Sequence, residues 1–301
     1  MTVLDARAPR STIDPAAAAL IVLLCLLWAL NQVGVKIANN GMQPVLQAGI
    51  RSFFGAVLVF AWCRIRGVPL FERDGTLLAG VGVGLLFGLE FVMLYVGVDY
   101  TSVSRAVLFI YTAPFVVAIG AHFLITGERL TLVRAAGLVA AFLGVIIAFS
   151  DKLSLPSPTA LIGDALCLAA GVSWGATIVV IKKSRLAWAS PEKVLFYQLA
   201  VSAPPMLFLA PLFGPPIRDF SPFTAGAVVF QIVVVVVASY LAWFWLLRHY
   251  PASRLSAFTF LTPVFAVILG GWLLSEPLSP NLIVALVLVA AGIALVNRPS
   301  S

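Results

Sequence analysis

Charged residues are scarce in this chain, only 10% of its 301 residues, with 12 acidic side chains in all. Soluble domains carry about 25%. So few polar groups cannot cover the surface of a soluble fold of this length. Histidine is nearly absent, with only His122 and His249, which stand far apart. The three cysteines, Cys25, Cys63 and Cys167, form no CxxC pair. They suggest no disulfide framework, and no His/Cys/Glu grouping has the spacing of metal ligands. There is no P-loop motif, which excludes ATP hydrolysis by this chain as a driving force. Dense intramembrane Lys and Arg are also missing, which argues against phosphorylated sugars as cargo. No cofactor is expected.

What the chain has instead is apolar length. Hydrophobic residues make up 61%, and they fall into ten runs separated by short polar joins. A bilayer span needs about 20 such residues. The runs lie at about 16–37, 44–63, 76–98, 103–125, 131–149, 160–181, 192–213, 223–247, 253–274 and 280–297. Barrel strands would alternate apolar and polar residues. These runs are continuously apolar, so the expected fold is all-α, with ten transmembrane helices. Arg7 and Arg10 precede the first run as in a signal peptide, but no small-residue cleavage site follows, so it reads as a retained span.

The basic residues sort by side. If ten spans are right, fourteen Lys and Arg fall on the side of the termini and four on the other, with Arg51 inside the second span. That bias puts both termini in the cytoplasm. It also accounts for the net charge of +7 as a topology signal, so nucleic acid is not an expected partner.

The sequence repeats itself. Residues 104–115 read SRAVLFIYTAPF and residues 253–264 read SRLSAFTFLTPV, with Ser, Arg, Phe and Pro in register 149 positions apart. A polar turn follows each block, Gly127-Glu128-Arg129 in one and Ser275-Glu276-Pro277 in the other. Trp28 and Lys36 are echoed 146 residues on by Trp174 and Lys182. Five is an odd number of spans, so the second half enters the membrane from the opposite face. The expected organisation is an N-terminal tail (1–15), a first five-helix repeat (16–149), a linker (150–159), a second, inverted repeat (160–297) and a C-terminal tail (298–301). Inverted repeats are a common device of secondary transporters.

These paired Ser-Arg blocks, mid-run prolines and Glu-bearing turns resemble the paired EamA repeats of the drug/metabolite transporter superfamily. Within it, the chain is most similar to YddG-type exporters of aromatic and other neutral amino acids. The resemblance implies a multi-pass protein of a bacterial inner membrane. It would move an amino acid or similar metabolite by alternating access, with the lipid bilayer as surroundings and a monomer or weak dimer as the working form.

Several residues could carry that function. Glu90 is the one acidic residue well inside a run, and an ionisable group there is costly. It can contact a substrate ammonium, carry a proton in a drug exporter, or serve as a neutral interhelical hydrogen-bonding group. Arg51 reads as structural, snorkelling or pairing with a carboxylate such as Glu90. Trp28 with Asn31, and Trp174 with Thr177, repeat a Trp–polar pair in both halves and suggest facing cavity walls. Tyr95, Tyr111, Tyr240, Phe244 and Phe260 add an aromatic lining, with core packing as the alternative for each. Pro114 and Pro263 interrupt backbone hydrogen bonding at equivalent places and read as paired hinges. Two stripes of small residues, Gly80/Gly84/Gly88 and Ala136/Ala140/Gly144, read as packing faces. Gly171-Val172-Ser173-Trp174-Gly175 matches a hydrolase nucleophile pattern, but it lies in a continuous apolar run with no strand–turn–helix elbow. An enzyme is not expected.

Overall fold

Thirteen α-helices build the protein in a computed structural model, which describes residues 12–153, 155, 157–274 and 280–298. The first half runs α1 (Pro15–Gly41), α2 (Pro44–Arg66), α3 (Leu77–Tyr100), α4 (Val103–Ile110), α5 (Ala113–Leu124) and α6 (Leu132–Phe149). The second runs α7 (Pro158–Lys183), α8 (Pro191–Leu209), α9 (Pro222–Phe230), a π-helical segment (Gln231–Ser239), α10 (Tyr240–His249), α11 (Ala252–Phe258), α12 (Leu261–Leu274) and α13 (Asn281–Asn297). Among the described residues, nine helical stretches are long and apolar enough to cross a membrane; the α13 helix is apolar but shorter.

The helix starts are written locally. Proline stands in the first turn of α1, α2, α7, α8 and α9, where its missing N–H is not needed. Asp14, Ser157, Ser190 and Ser221 cap α1, α7, α8 and α9 through their side-chain oxygens. The α2 helix stops at Gly67, whose φ of 65° is left-handed. Large apolar side chains such as Leu78, Leu132, Phe123 and Phe208 are exposed, as suits a surface that faces lipid.

Helices meet through small residues, the usual means of close approach where lipid supplies no hydrophobic drive. Gly80, Gly84 and Gly88 of α3 lie against Tyr197, Val201 and Ser202 of α8, as the sequence stripe predicts. The stripe expected in α6 is displaced by one position. Ala136 is exposed, and the residues that meet α13 are Gly137, Ala141 and Gly144, against Gly292, Ala285 and Val289. Each residue turns a helix face by 100°, so two overlapping stripes sharing Gly144 cannot be ranked without the neighbour.

The α7 helix carries a longer stripe, Gly163, Cys167, Gly171 and Gly175. Gly163 and Cys167 approach the end of α3 at Gly97. Gly171 and Gly175 fit against the join between α4 and α5. A Cβ on Gly171 would stand 2.8 Å from the Ile110 carbonyl oxygen. The hydrolase-like pattern is thus the seat of a broken helix.

The two proline blocks do not bend continuous helices. At each, the helix ends and a new one begins, with Pro114 and Pro263 in the first turns of α5 and α12. Thr112 Oγ1 donates to the Phe109 carbonyl at 2.7 Å, and Thr259 Oγ1 donates to the Ser256 carbonyl at 2.7 Å. The Phe258 carbonyl accepts from Cys25 Sγ at 3.3 Å. The Phe109 and Ser256 carbonyls also accept the backbone N–H groups of Thr112 and Thr259, so backbone and side-chain donors share the carbonyls at each break, as a non-helical join inside an apolar medium needs.

Candidate functional site

The interior of the bundle holds a chain of rings beside buried polar groups. Trp28 of α1 donates its indole N–H to Ser239 Oγ at 2.9 Å. Its ring meets Tyr240 and Trp243 edge-on, at 6.3 and 5.3 Å between centroids. Tyr240 meets Phe87 at 6.3 Å, Phe87 meets Phe91 at 4.9 Å, and Phe91 meets Tyr95 at 5.9 Å. Glu90 lies on the same helix as these last three and is only 7% exposed. Arg51 of α2 is 2% exposed, and its guanidinium stacks over Phe91 at 4.2 Å. Arg51, Glu90, Tyr95 and Tyr240 lie within electrostatic reach of one another.

Other predicted residues lie in a second set. Tyr111 and Trp174 pack edge-to-face at 5.8 Å, and Tyr111 is also within electrostatic reach of Tyr240. Phe260 packs with Phe115 and Phe142, each at 6.2 Å. Thr177 turns its hydroxyl back to the Ser173 carbonyl at 2.8 Å. Asn31 is partly buried, and its Oδ1 has no hydrogen-bond partner. Phe244 stands apart from the rings, beside a small void of about 10 Å³ with Lys182, Val194 and Leu247.

Polar latches hold both ends of α7. Near its start, Asp164 pairs with Arg105 and accepts the Thr101 hydroxyl at 2.7 Å. Near its end, Lys182 Nζ donates to the Tyr250 carbonyl at 2.7 Å, and the Tyr250 hydroxyl donates to Asp14 at 2.6 Å. Glu128 accepts the backbone N–H groups of Ala252 and Ser253 at 2.9 Å each and the Ser253 hydroxyl at 2.7 Å. With 1.5 Å of rise per residue, Asp164 and Lys182 are about 27 Å apart along the axis. Polar contacts therefore tie α7 to its neighbours near both ends in this conformation.

Sequence reasoning did not single out Gln47, Ser52, Gln198 and Gln231. All four are buried, and each has side-chain polar atoms with no hydrogen-bond partner. The available signal was a lone polar residue in an apolar run, as with Gln231 between Phe230 and Ile232. The π-helical turn that opens at Gln231 had no sequence signal.

This arrangement, long apolar helices around an aromatic and polar interior, is that of a multi-pass membrane protein. A solved crystal structure shares the fold, with a TM-score of 0.81 over 94% of this chain and 96% of its own at 21% identity. The EamA-like transporter family matches residues 15–150 and again 161–298, so the chain belongs to that family. It is similar to "Uncharacterized transporter YoaV" of Bacillus subtilis, 25% identical over 91% of this chain and 94% of the relative. It is also similar to proteins named "Probable amino-acid metabolite efflux pump". The one from Salmonella typhimurium is 27% identical and that from Escherichia coli 26%, each over 91% of this chain and 92% of the relative. The protein is a membrane transporter and not an enzyme.

Proposed function

We propose that the protein exports small neutral amino acids, bulky and aromatic ones among them, from the cytoplasm by alternating access. The observation that carries this reading is the ring chain Trp28–Tyr240–Phe87–Phe91 with Glu90 and Arg51 at its side. An apolar wall with a few placed charges is what an amino-acid side chain and its zwitterionic end would need. The amino-acid pumps among its relatives point the same way.

The architecture that goes with this reading is ten spans in two inverted five-helix repeats, 16–149 and 160–297, with both termini cytoplasmic in a bacterial inner membrane. Trp28, Asn31, Glu90, Tyr95, Tyr111, Trp174, Thr177, Tyr240, Phe244 and Phe260 would serve as the substrate-facing set. The joins at Pro114 and Pro263 would act as hinges, and a monomer or weak dimer would suffice. Flux of an amino-acid panel into proteoliposomes tests it. Transport of at least one neutral amino acid is expected; transport of lipophilic cations with no amino acid would refute it. That second outcome would favour a proton-coupled drug exporter, a reading supported by the burial of Glu90 among aromatic rings.

A further inference from the structure

Arg51 is the largest of the fully buried side chains, and its Nε and Nη2 donors have no hydrogen-bond partner. Among the described residues it forms no ion pair. A guanidinium buried this way is costly unless paired, and the Phe91 ring at 4.2 Å offers only a face, not an acceptor. Gln47, one turn earlier on the same face of α2, is 0% exposed, with neither its Nε2 nor its Oε1 partnered. Gln231 is likewise 0% exposed, with both amide atoms unpartnered.

The helix registers bring Arg51 and Gln231 to nearly one level, with Gln47 one turn away along α2. The Gln43 N–H donates to the Pro216 carbonyl at 3.0 Å, and a Cβ on Gly55 would stand 2.8 Å from Val236. Thus α2 runs alongside the π-helical segment in the same direction, and counting four residues back from that contact puts position 51 near the level of position 232. Ile50 packs against the buried cluster of Ala38, Val228 and Ile232. Gln231 opens the π-helical stretch, a rare backbone form that occurs frequently at functional sites. Buried polar groups are nearly always partnered. Three such groups, on neighbouring turns of α2 and on the π-helical segment packed along it, leave several donors without a hydrogen-bond partner and describe a place made for something else.

We propose that Arg51, with the side-chain amides of Gln47 and Gln231, receives the carboxylate of the transported amino acid. A planar carboxylate accepts two N–H bonds from a guanidinium fork and further bonds from amide N–H groups. Glu90, one residue before the ring that Arg51 covers, is placed for the ammonium of the same ligand. The ligand's side chain would then lie toward Phe87, Tyr240 and Trp28. The sequence alone left Arg51 as a structural residue because neither Phe91 nor Gln231 can be placed beside it without the fold. The inference rests on the amino-acid reading above, and its test separates the two.

The full chain in proteoliposomes is assayed for counterflow of L-phenylalanine, or whichever neutral amino acid the panel finds transported. Phenylalaninamide, which keeps the ring and the ammonium but lacks the carboxylate, is the competitor. The wild type should prefer the acid over the amide by roughly tenfold or more, the worth of a charge-assisted hydrogen bond. In Arg51→Gln that preference should vanish, with KM for the acid raised by a similar factor. Arg51→Lys should fall between, because a point charge replaces a fork. Gln231→Leu removes a polar group that has no partner, so its Tm should hold or rise while KM for the acid rises. If Gln231 and Arg51 served only the fold, their replacement would instead lower Tm and leave KM and the acid–amide preference alone. That result in Arg51→Lys and Gln231→Leu overturns the proposal, even if Arg51→Gln does not reconstitute. Absence of any amino-acid flux in the wild type would refute the export reading itself.

Discussion

Glu128 is the most exacting test of how the two halves are held together. Its two carboxylate oxygens accept the backbone N–H groups of Ala252 and Ser253 and the Ser253 hydroxyl. Those are the first residues of α11, whose own N-cap position is Pro251, with no side-chain cap. The helix therefore takes its cap from a loop 124 residues away in sequence. Loss of an ordinary N-cap costs about 0.5–2 kcal/mol. Hydrogen bonds to a charged group contribute about 1.5–3 kcal/mol each, though the three act as one unit and do not add. Glu128 is 8% exposed, so water can replace it only partly. Glu128→Ala should therefore cost about 2–4 kcal/mol. On a scale of about 2–4 °C per kcal/mol for larger domains, its thermal transition in detergent should fall by at least roughly 4 °C. Glu128→Gln keeps one acceptor oxygen and should fall about half as far. Thermal unfolding followed by size-exclusion chromatography reads both. An unchanged transition in Glu128→Ala would show that α11 does not depend on this cap, and the reasoning would be wrong.

Three further outcomes are expected. Gly171→Ala places a Cβ 2.8 Å from the Ile110 carbonyl and 2.9 Å from the Phe109 carbonyl, so overpacking of about 1–3 kcal/mol should outweigh the helix preference of Ala, about 1 kcal/mol. Gly82→Ala, with open space around it, should leave the transition unchanged or raise it, and equal effects in the two variants would refute the packing account. Pro114→Ala restores a backbone donor at the α4–α5 join and should slow maximal flux while KM moves by less than a factor of about two; untouched flux would remove the hinge role. Asp74, in the loop before α3, accepts from Lys193 Nζ at 2.7 Å and from the Thr76 hydroxyl at 2.6 Å. These bonds, that of Lys193 above all, hold its carboxyl well below the usual carboxylate range. Its contribution is thus present at neutral pH and lost as acidification protonates it. Asp74→Asn should melt earlier than wild type at pH 7, with the gap closing as pH falls below the usual carboxylate range; a gap independent of pH would refute the pairing.

Much of the fold was legible because helices in lipid satisfy their backbone hydrogen bonds within the segment. Each long apolar run is therefore a self-contained signal. The Gly80/Gly84/Gly88 stripe could be read because all three glycines point the same way whatever lies opposite. The paired blocks around Pro114 and Pro263 were visible as a repeat, although their form, two helices meeting at a join, was not. That form depends on Cys25 and on the Gly171 face of α7 coming up against the breaks.

The interior was less legible, and Arg51 shows why. Its own run is ordinary, and its meaning lies in Phe91, Gln47 and Gln231, two of them on other helices and one of those 180 positions away. Phe244 carries the same lesson, since one turn of helix moves it from the company of Tyr240 to the side of Lys182 and Leu247. Sequence by itself determined that this chain is a bundle of membrane helices with a duplicated pattern, because hydrophobic length and local capping act over a few residues. Only the tertiary structure decided which face of each helix turns inward, because a rotation of 100° per residue is settled by partners from distant parts of the chain.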